Sequence, residues 1–519
     1  MSAVVVAVVV SLAFFWRVAP GAPAGAQSAA EPRVWEDDAI ASTQLPLADP
    51  RVRVTHLSAA DYYRLPVRPI YESYPIYEPG REPAGYLEDL RMRAPRLVDS
   101  SSSELASEEA WQRFGSSVFE APLGYDDDPF SSVISFENTR DLNWYRTVGV
   151  RVDPATRVMP YARYVVRVKG KIEVGNLACA MCHTRVLEDG TVIRGAQGNF
   201  PFDRSLAFGM RAAVRAIGNI EQAAKELRAF DSLLFGMPWR QSSLVTTFGS
   251  LTLQDYIAAY EAIPPGVAAR HGTSPLLPVQ IPDLIGVQNR RYLDRTGLVQ
   301  HRDAGDLMRY AALNQGADFF TRYGTFVPGG ATLQDLPPSQ AARYSDLELR
   351  ALARFVYSLR PPHNPHVART TEERQLAARG ESVFQRLRCG RCHTPPAFTS
   401  NSLTRVDGFQ VPSDHAGKYQ ILDESVGTDP SLSLDTRRGT GYYKVPSLRG
   451  VWYRGPLEHN GSVATLEDWF DPRRLLDSYQ PTGWKGISGH ARRAVAGHRF
   501  GLNLSTGDRG ALIAFLKTL

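Results

Sequence analysis

The hydrophobic pattern of the 519-residue chain changes rhythm several times. Ala3 to Trp16 is almost continuously apolar, followed by Arg17 and a run of small residues and prolines ending Ala24-Gly25-Ala26. This is shorter than the roughly 20 apolar residues of a spanning helix. It reads as an export signal cut after Ala26, although no Lys or Arg precedes it. Residues 27–110 show little periodicity but carry many tyrosines and prolines, such as Tyr62, Tyr63, Tyr71, Tyr74, Pro66 and Pro69. So many aromatics argue for an ordered wrapping extension. The Ser/Glu stretch from Ser100 to Glu109 opens a helix carrying Trp111 and Phe114. Val148–Val152 and Tyr164–Val168 read as strands, and Asp189-Gly190 centres a hairpin over Arg185–Arg194. Three- and four-residue spacing predicts a helix over Phe202–Phe235. Another helix spans Ser345–Leu359 and must stop at Arg360-Pro361-Pro362. A new helix starts at Thr371-Glu372-Glu373, and the last covers Asp508–Leu519. The resulting division is 1–26, 27–110, 111–365 and 366–519.

Composition narrows the class. Hydrophobic residues at 43% and charged residues at 22% suit a chain that buries a core. The formal charge of +5 is small for this length, and no Lys/Arg stripe forms, so nucleic acid is not an expected partner. No segment after the first is apolar enough to cross a membrane. The mature chain is therefore expected to have no membrane span and to lie outside the cytoplasm, periplasmic or secreted.

The four cysteines carry the sharpest signal. They form two C-x-x-C-H motifs, Cys179-Ala180-Met181-Cys182-His183 and Cys389-Gly390-Arg391-Cys392-His393. Two thiols three positions apart can each add to one vinyl group of a porphyrin, and the adjacent histidine then lies beneath the ring as an iron ligand. Structural disulfides, a four-cysteine zinc site and a thioredoxin-like redox pair are the competing readings. Disulfides and zinc leave the histidine after each pair unexplained, and the thioredoxin motif expects a cytosolic βαβ setting. The cofactors expected are two covalently bound haem c groups, with iron on His183 and His393.

The sixth iron position separates electron transfer from chemistry. The last methionine is Met308, so none follows the second motif. The candidates for that iron are His415, His459, His490 and His498. His498 is preferred, because it sits one loop before the last helix, where the chain returns over the ring. For the first iron, His271, His301, Met210, Met237 and Met308 are nearby, and none is in a setting that compels ligation. A haem-binding helix and a packed closing helix give each half the layout of a class I cytochrome c domain. The two halves read as divergent copies of one module. The expected fold is mainly α with small β-hairpins: two class I cytochrome c-like haem domains, long loops and the N-terminal extension.

Two stretches, Tyr443-Lys444-Val445-Pro446-Ser447-Leu448-Arg449-Gly450 and His459-Asn460-Gly461-Ser462-Val463-Ala464-Thr465-Leu466-Glu467, resemble the bacterial di-haem cytochrome c peroxidase/MauG superfamily. Within it the chain looks most like the rubber oxygenase branch, through Arg68-Pro69-Ile70-Tyr71, Tyr292-Leu293-Asp294-Arg295-Thr296-Gly297, Asp306-Leu307-Met308-Arg309-Tyr310, Val406-Asp407-Gly408-Phe409 and Gly497-His498-Arg499-Phe500-Gly501. The resemblance covers roughly residues 110 to 519. It implies an N-terminal haem that activates dioxygen to cleave an apolar olefin such as polyisoprene, and a bis-histidine C-terminal haem that caps its iron with His498 and moves electrons. Leu307 and Met308 would line the distal pocket. Tyr292 would stand where relatives carry a tryptophan between the haems. Relatives that use peroxide also carry a distal glutamate, and no glutamate occurs between Glu261 and Glu348. A di-haem peroxidase using hydrogen peroxide, with a small electron-donor protein as partner, and a non-catalytic electron carrier remain the alternatives.

Overall fold

The computed structural model describes residues 33–98, 105–127, 132–217, 221–222, 224–225, 235–240, 250–269, 272–316, 320–328, 342–487 and 490–519. The export signal, His271 and most of 218–235 lie outside them, as does the side chain of His490. Among the described residues no helix is long and apolar enough to cross a membrane.

The extension is built into the body of the protein. Trp35 and Tyr62 are fully buried and stacked, with ring centres 4.3 Å apart. Strand β1 (Ser73–Tyr77) also comes from this segment. Helix α1 (Glu108–Glu120) follows, with Ser107 accepting a hydrogen bond from the Ala110 N–H as its cap. Strands β2 (Gly124–Tyr125), β3 (Val158–Val168) and β4 (Lys171–Asn176) join β1 in a four-stranded antiparallel sheet of order β1-β3-β4-β2. The strand expected at Val148–Val152 does not form. A helix, Leu142–Val148, occupies its start, and Gly149 ends that helix in the left-handed conformation.

The first motif forms a single turn, α2 (Cys179–Cys182), between two cores. Ala180 packs into the helical core and Met181 into the core beneath the sheet. The expected hairpin is present as β5 (Thr184–Val186) and β6 (Val192–Arg194). After it come α3 (Phe202–Ile217), α4 (Ala304–Gly316) and α5 (Asp346–Ser358). Ser345 and Glu348 cap α5 reciprocally, as Thr370 and Glu373 cap α6 (Thr371–Arg386). The last helix is α7 (Thr506–Lys517).

Two helix pairs repeat one contact. Helix α1 crosses α5, and α6 crosses α7. At the first crossing, an alanine Cβ at Gly115 would overlap the main-chain oxygen of Ala351 and lie 2.7 Å from Phe355 Cβ. At the second, one at Gly380 would overlap the main-chain oxygen of Ala511 and lie 2.7 Å from Phe515 Cβ. The sequences agree with this: Gly115-Ser-Ser-Val-Phe119 matches Gly380-Glu-Ser-Val-Phe384, and Ala351-Leu352 with Phe355 matches Ala511-Leu512 with Phe515. Only glycine lets the two backbones approach so closely. In the second copy α6 runs almost directly into its C-x-x-C-H motif. In the first copy the sheet is inserted between α1 and the motif.

Gln197 joins the copies. It is fully buried, and its amide donates to the carbonyls of Gly266 and Pro456, both at 3.0 Å. Its oxygen accepts from the Gly455 N–H at 3.2 Å and from Gln280 Nε2 at 3.0 Å. All the hydrogen-bonding capacity of the amide is used, which a buried polar side chain requires.

Candidate haem sites

Each motif histidine is aimed by a proline carbonyl. His183 Nδ1 lies 3.0 Å from the Pro282 oxygen, and His393 Nδ1 lies 3.1 Å from the Pro446 oxygen. A carbonyl accepts only from a protonated nitrogen, so Nδ1 carries the hydrogen. Nε2 is then left as the basic nitrogen suited to a metal. Burial pushes His393 down to about 4, which keeps the ring neutral at physiological pH. No cysteine among the described residues is in a disulfide. Burial raises the Cys179 thiol to about 12 and the Cys389 thiol to about 11. A disulfide-exchange cysteine needs the opposite shift.

The second motif opens onto a cavity of about 240 Å³. Cys389, Cys392 and His393 line one side, His498 another, with Phe384, Leu448, Leu466, Trp469 and Leu512 among its apolar walls. The rings of His393 and His498 face each other with centres 6.4 Å apart and planes inclined by 57°. An imidazole nitrogen sits about 2 Å from a first-row metal, so two rings ligating one ion from opposite sides have centres about 6 Å apart. His498 Nδ1 is buried with no hydrogen-bond partner, an arrangement that costs stability unless a ligand is bound. Burial and the neighbouring His393 hold His498 down at about 3. The thiols, the two facing imidazoles and the largely apolar cavity fit a covalently attached haem.

The His498 loop is held against strain. Its backbone is left-handed, with φ 42°, a conformation non-glycine residues rarely adopt. The His498 N–H donates to the Val426 oxygen at 2.7 Å. Arg474, fully buried, donates to the oxygens of Trp469, Val495, Gly497 and His498 at 2.5–3.0 Å. Nothing in the local sequence marked Arg474 for this role.

Three other candidate histidines among the described residues are otherwise engaged. His459 lines the same cavity but lies flat on Tyr443, with ring centres 4.5 Å apart, and pairs with the buried carboxylate of Glu458. His415 Nδ1 is 2.9 Å from the Tyr442 hydroxyl. His301 has both ring nitrogens in use, on the Arg290 oxygen at 2.6 Å and the Tyr357 hydroxyl at 2.7 Å.

At the first motif, Leu307 and Met308 on α4 are buried in the apolar cluster that also takes Ala180 and packs against Cys179. Hairpin β5–β6 folds back over the motif, where the Gly195 N–H donates to the His183 oxygen and the Gly198 N–H to the Cys182 oxygen. Tyr292 lines a small pocket that Pro282 and Pro446 also line. Its ring packs on Leu45, Leu403 and Tyr442, and its hydroxyl accepts the Gln420 N–H at 3.0 Å.

No family model matches the chain, and no curated protein matches it. Among solved structures, hydrazine synthase of Kuenenia stuttgartiensis, pressurised with xenon, is 16% identical, over 56% of this chain and 86% of that one, with a TM-score of 0.28. A MauG-like protein associated with microbial copper homeostasis is 20% identical, over 52% of this chain and 82% of that one, also with a TM-score of 0.28. Superposition this limited carries no functional assignment, which rests on the side chains above.

Proposed function

We propose that the chain is an exported, two-haem c-type oxidoreductase. Cys389, Cys392, His393 and His498 would hold one haem, which would supply electron transfer, and Cys179, Cys182 and His183 would hold the other, which would supply reactivity toward a small oxidant. The observation that carries this reading is the facing of His393 and His498 across an apolar cavity edged by Cys389 and Cys392. Haem iron supplies the one-electron chemistry and the affinity for dioxygen or peroxide.

The chain's own residues divide the labour. The Pro282 and Pro446 carbonyls fix the tautomers of His183 and His393. Arg474 and Val426 hold His498 over the second iron site. His301 is kept from the first iron site by its two hydrogen bonds, and Leu307 and Met308 supply apolar surface beside that motif. Dioxygen is favoured over peroxide because residues 262–347 contain no glutamate to shuttle protons. Glu348, the next one, is spent capping α5. The substrate class that fits this reading is an apolar olefin of the polyisoprene kind, with a small electron-donor protein as an optional partner.

Carbon monoxide added to the reduced protein tests the division of roles. One haem of two per chain should shift its absorption while the other stays low-spin. Two unresponsive haems would make the chain an electron carrier. Turnover of peroxide with an electron donor, and none of an olefin with dioxygen, would make it a peroxidase.

A further inference from the structure

A second, smaller pocket is lined by both histidine-aiming prolines, Pro282 and Pro446. Arg290, Arg295, Lys444 and Arg454 line it too, and the last three also line the C-terminal haem cavity. Four cations thus meet in one partly buried place.

Their counter-charge is thin. Arg290 donates to the oxygens of Asp283 and Ile285, Arg295 to Gln280 at 3.4 Å, Lys444 to Tyr292 at 3.4 Å and Arg454 to Ser447 at 2.6 Å. Every one of these acceptors is a main-chain carbonyl. Arg454 Nε is buried with no partner. Asp283 comes to 3.8 Å from Arg290, but it also accepts the Tyr453 hydroxyl at 3.0 Å and the Ile285 N–H at 3.1 Å. Asp294 favours the charged forms of Arg295 and Lys444, but it is shared with Arg438 and with the Tyr310 hydroxyl at 2.8 Å. Burial, then Arg290 and Arg295, hold the Lys444 ammonium well below its ordinary range. Burial, then Arg454 and Arg290, pull Arg295 down to about 9. Buried cations facing one another are costly unless an anion joins them.

The cavity itself suggests the anion. Haem carries two carboxylate side chains on its rim, and guanidinium and ammonium groups are the donors that match carboxylates. We propose that Arg295, Lys444 and Arg454 form a clamp for the propionate carboxylates of the C-terminal haem. This inference rests on the haem assignment above. The clamp would neutralise the cluster and would raise the potential of the haem that His393 and His498 hold, since the added positive charge disfavours the ferric state.

The test uses the full chain matured in a host that attaches haem c, unsubstituted and as Lys444→Met, Lys444→Arg and Arg295→Gln. A haem stain on denatured protein comes first, and an unsubstituted chain without haem removes both the assignment and the clamp. With haem attached, the propionate bending band in the resonance Raman spectrum of the low-spin haem should move in Lys444→Met and Arg295→Gln and return in Lys444→Arg. The ferric/ferrous equilibrium should shift about tenfold toward ferric in the two charge-removing variants, about 59 mV for one electron. An unmoved propionate band overturns the clamp whatever the potential does. A potential of the unsubstituted protein that follows added inorganic phosphate, with the propionate band in place, assigns the cations to a free anion and also overturns it.

Discussion

His393 and His498 stand ring to ring at 6.4 Å, although more than a hundred residues separate them in the chain. One is set by its motif and the Pro446 carbonyl. The other sits on a left-handed loop residue that buried Arg474 and Val426 pin in place.

Removing His498 should open the second iron. His498→Ala is expected to turn the low-spin C-terminal haem high-spin and make it bind carbon monoxide. His498→Met should keep it low-spin and raise its potential, within the roughly 0.8 V range axial ligands control. His459→Ala should leave the spin state unchanged, because that ring is engaged with Tyr443 and Glu458. Absorption spectra of the three variants check this.

Arg474→Met should loosen the same loop from a distance. It strips partners from the buried carbonyls of Val495 and Gly497 and the half-buried ones of Trp469 and His498, and leaving a buried acceptor unsatisfied costs about 1–3 kcal/mol. A loss of about 3 kcal/mol or more in chemical denaturation is expected, with a partly high-spin C-terminal haem in the folded protein. An unchanged spin state would show that Val426 and the apolar walls hold His498 without Arg474.

The two helix crossings should fail alike. Gly115→Ala and Gly380→Ala each force a methyl group into a main-chain carbonyl, and overpacking of this kind costs typically about 1–3 kcal/mol. Thermal melts should show comparable losses for both. A neutral effect at one crossing would mean that its helices can separate without cost.

Glu348 gives a pH signature. Burial pushes its carboxyl up to about 7, against the partial compensation of its bonds to Ser345. A carboxyl raised in the folded state holds its proton more tightly there, so stability is fully present below about 4.5 and is lost as pH rises toward 7. Glu348→Gln keeps an acceptor for the Ser345 N–H and cannot ionise. It should match the unsubstituted protein near pH 4 and exceed it above pH 7 by about 3 kcal/mol. Denaturation at both pH values measures the difference.

Local chemistry was the legible part of the sequence. The C-x-x-C-H motifs stand out by their spacing, and the helix starts read at Ser345 and at Thr371-Glu372-Glu373 agree with α5 and α6, which Ser345 and Thr370 cap. His498 could be singled out because no methionine follows the second motif. The four-stranded sheet was only partly visible, because β1 comes from the extension and pairs with a strand far along the chain. Val148–Val152 has strand-like residues, but Asp141 caps a helix before them and tertiary packing overrode propensity. Gln197 and Arg474 left no trace in the sequence, since their partners, backbone groups and for Gln197 also the Gln280 side chain, are brought together only by folding. The same holds for the meeting of Arg295, Lys444 and Arg454, which come from separate segments.

The ligand set of the C-terminal iron is the most direct test of the whole account. Near-infrared magnetic circular dichroism of the ferric protein distinguishes bis-histidine from histidine–methionine and from five-coordinate haem. A bis-histidine charge-transfer band from one haem per chain is expected, lost in His498→Ala. A methionine-type band, or high-spin signals from both haems, would contradict it.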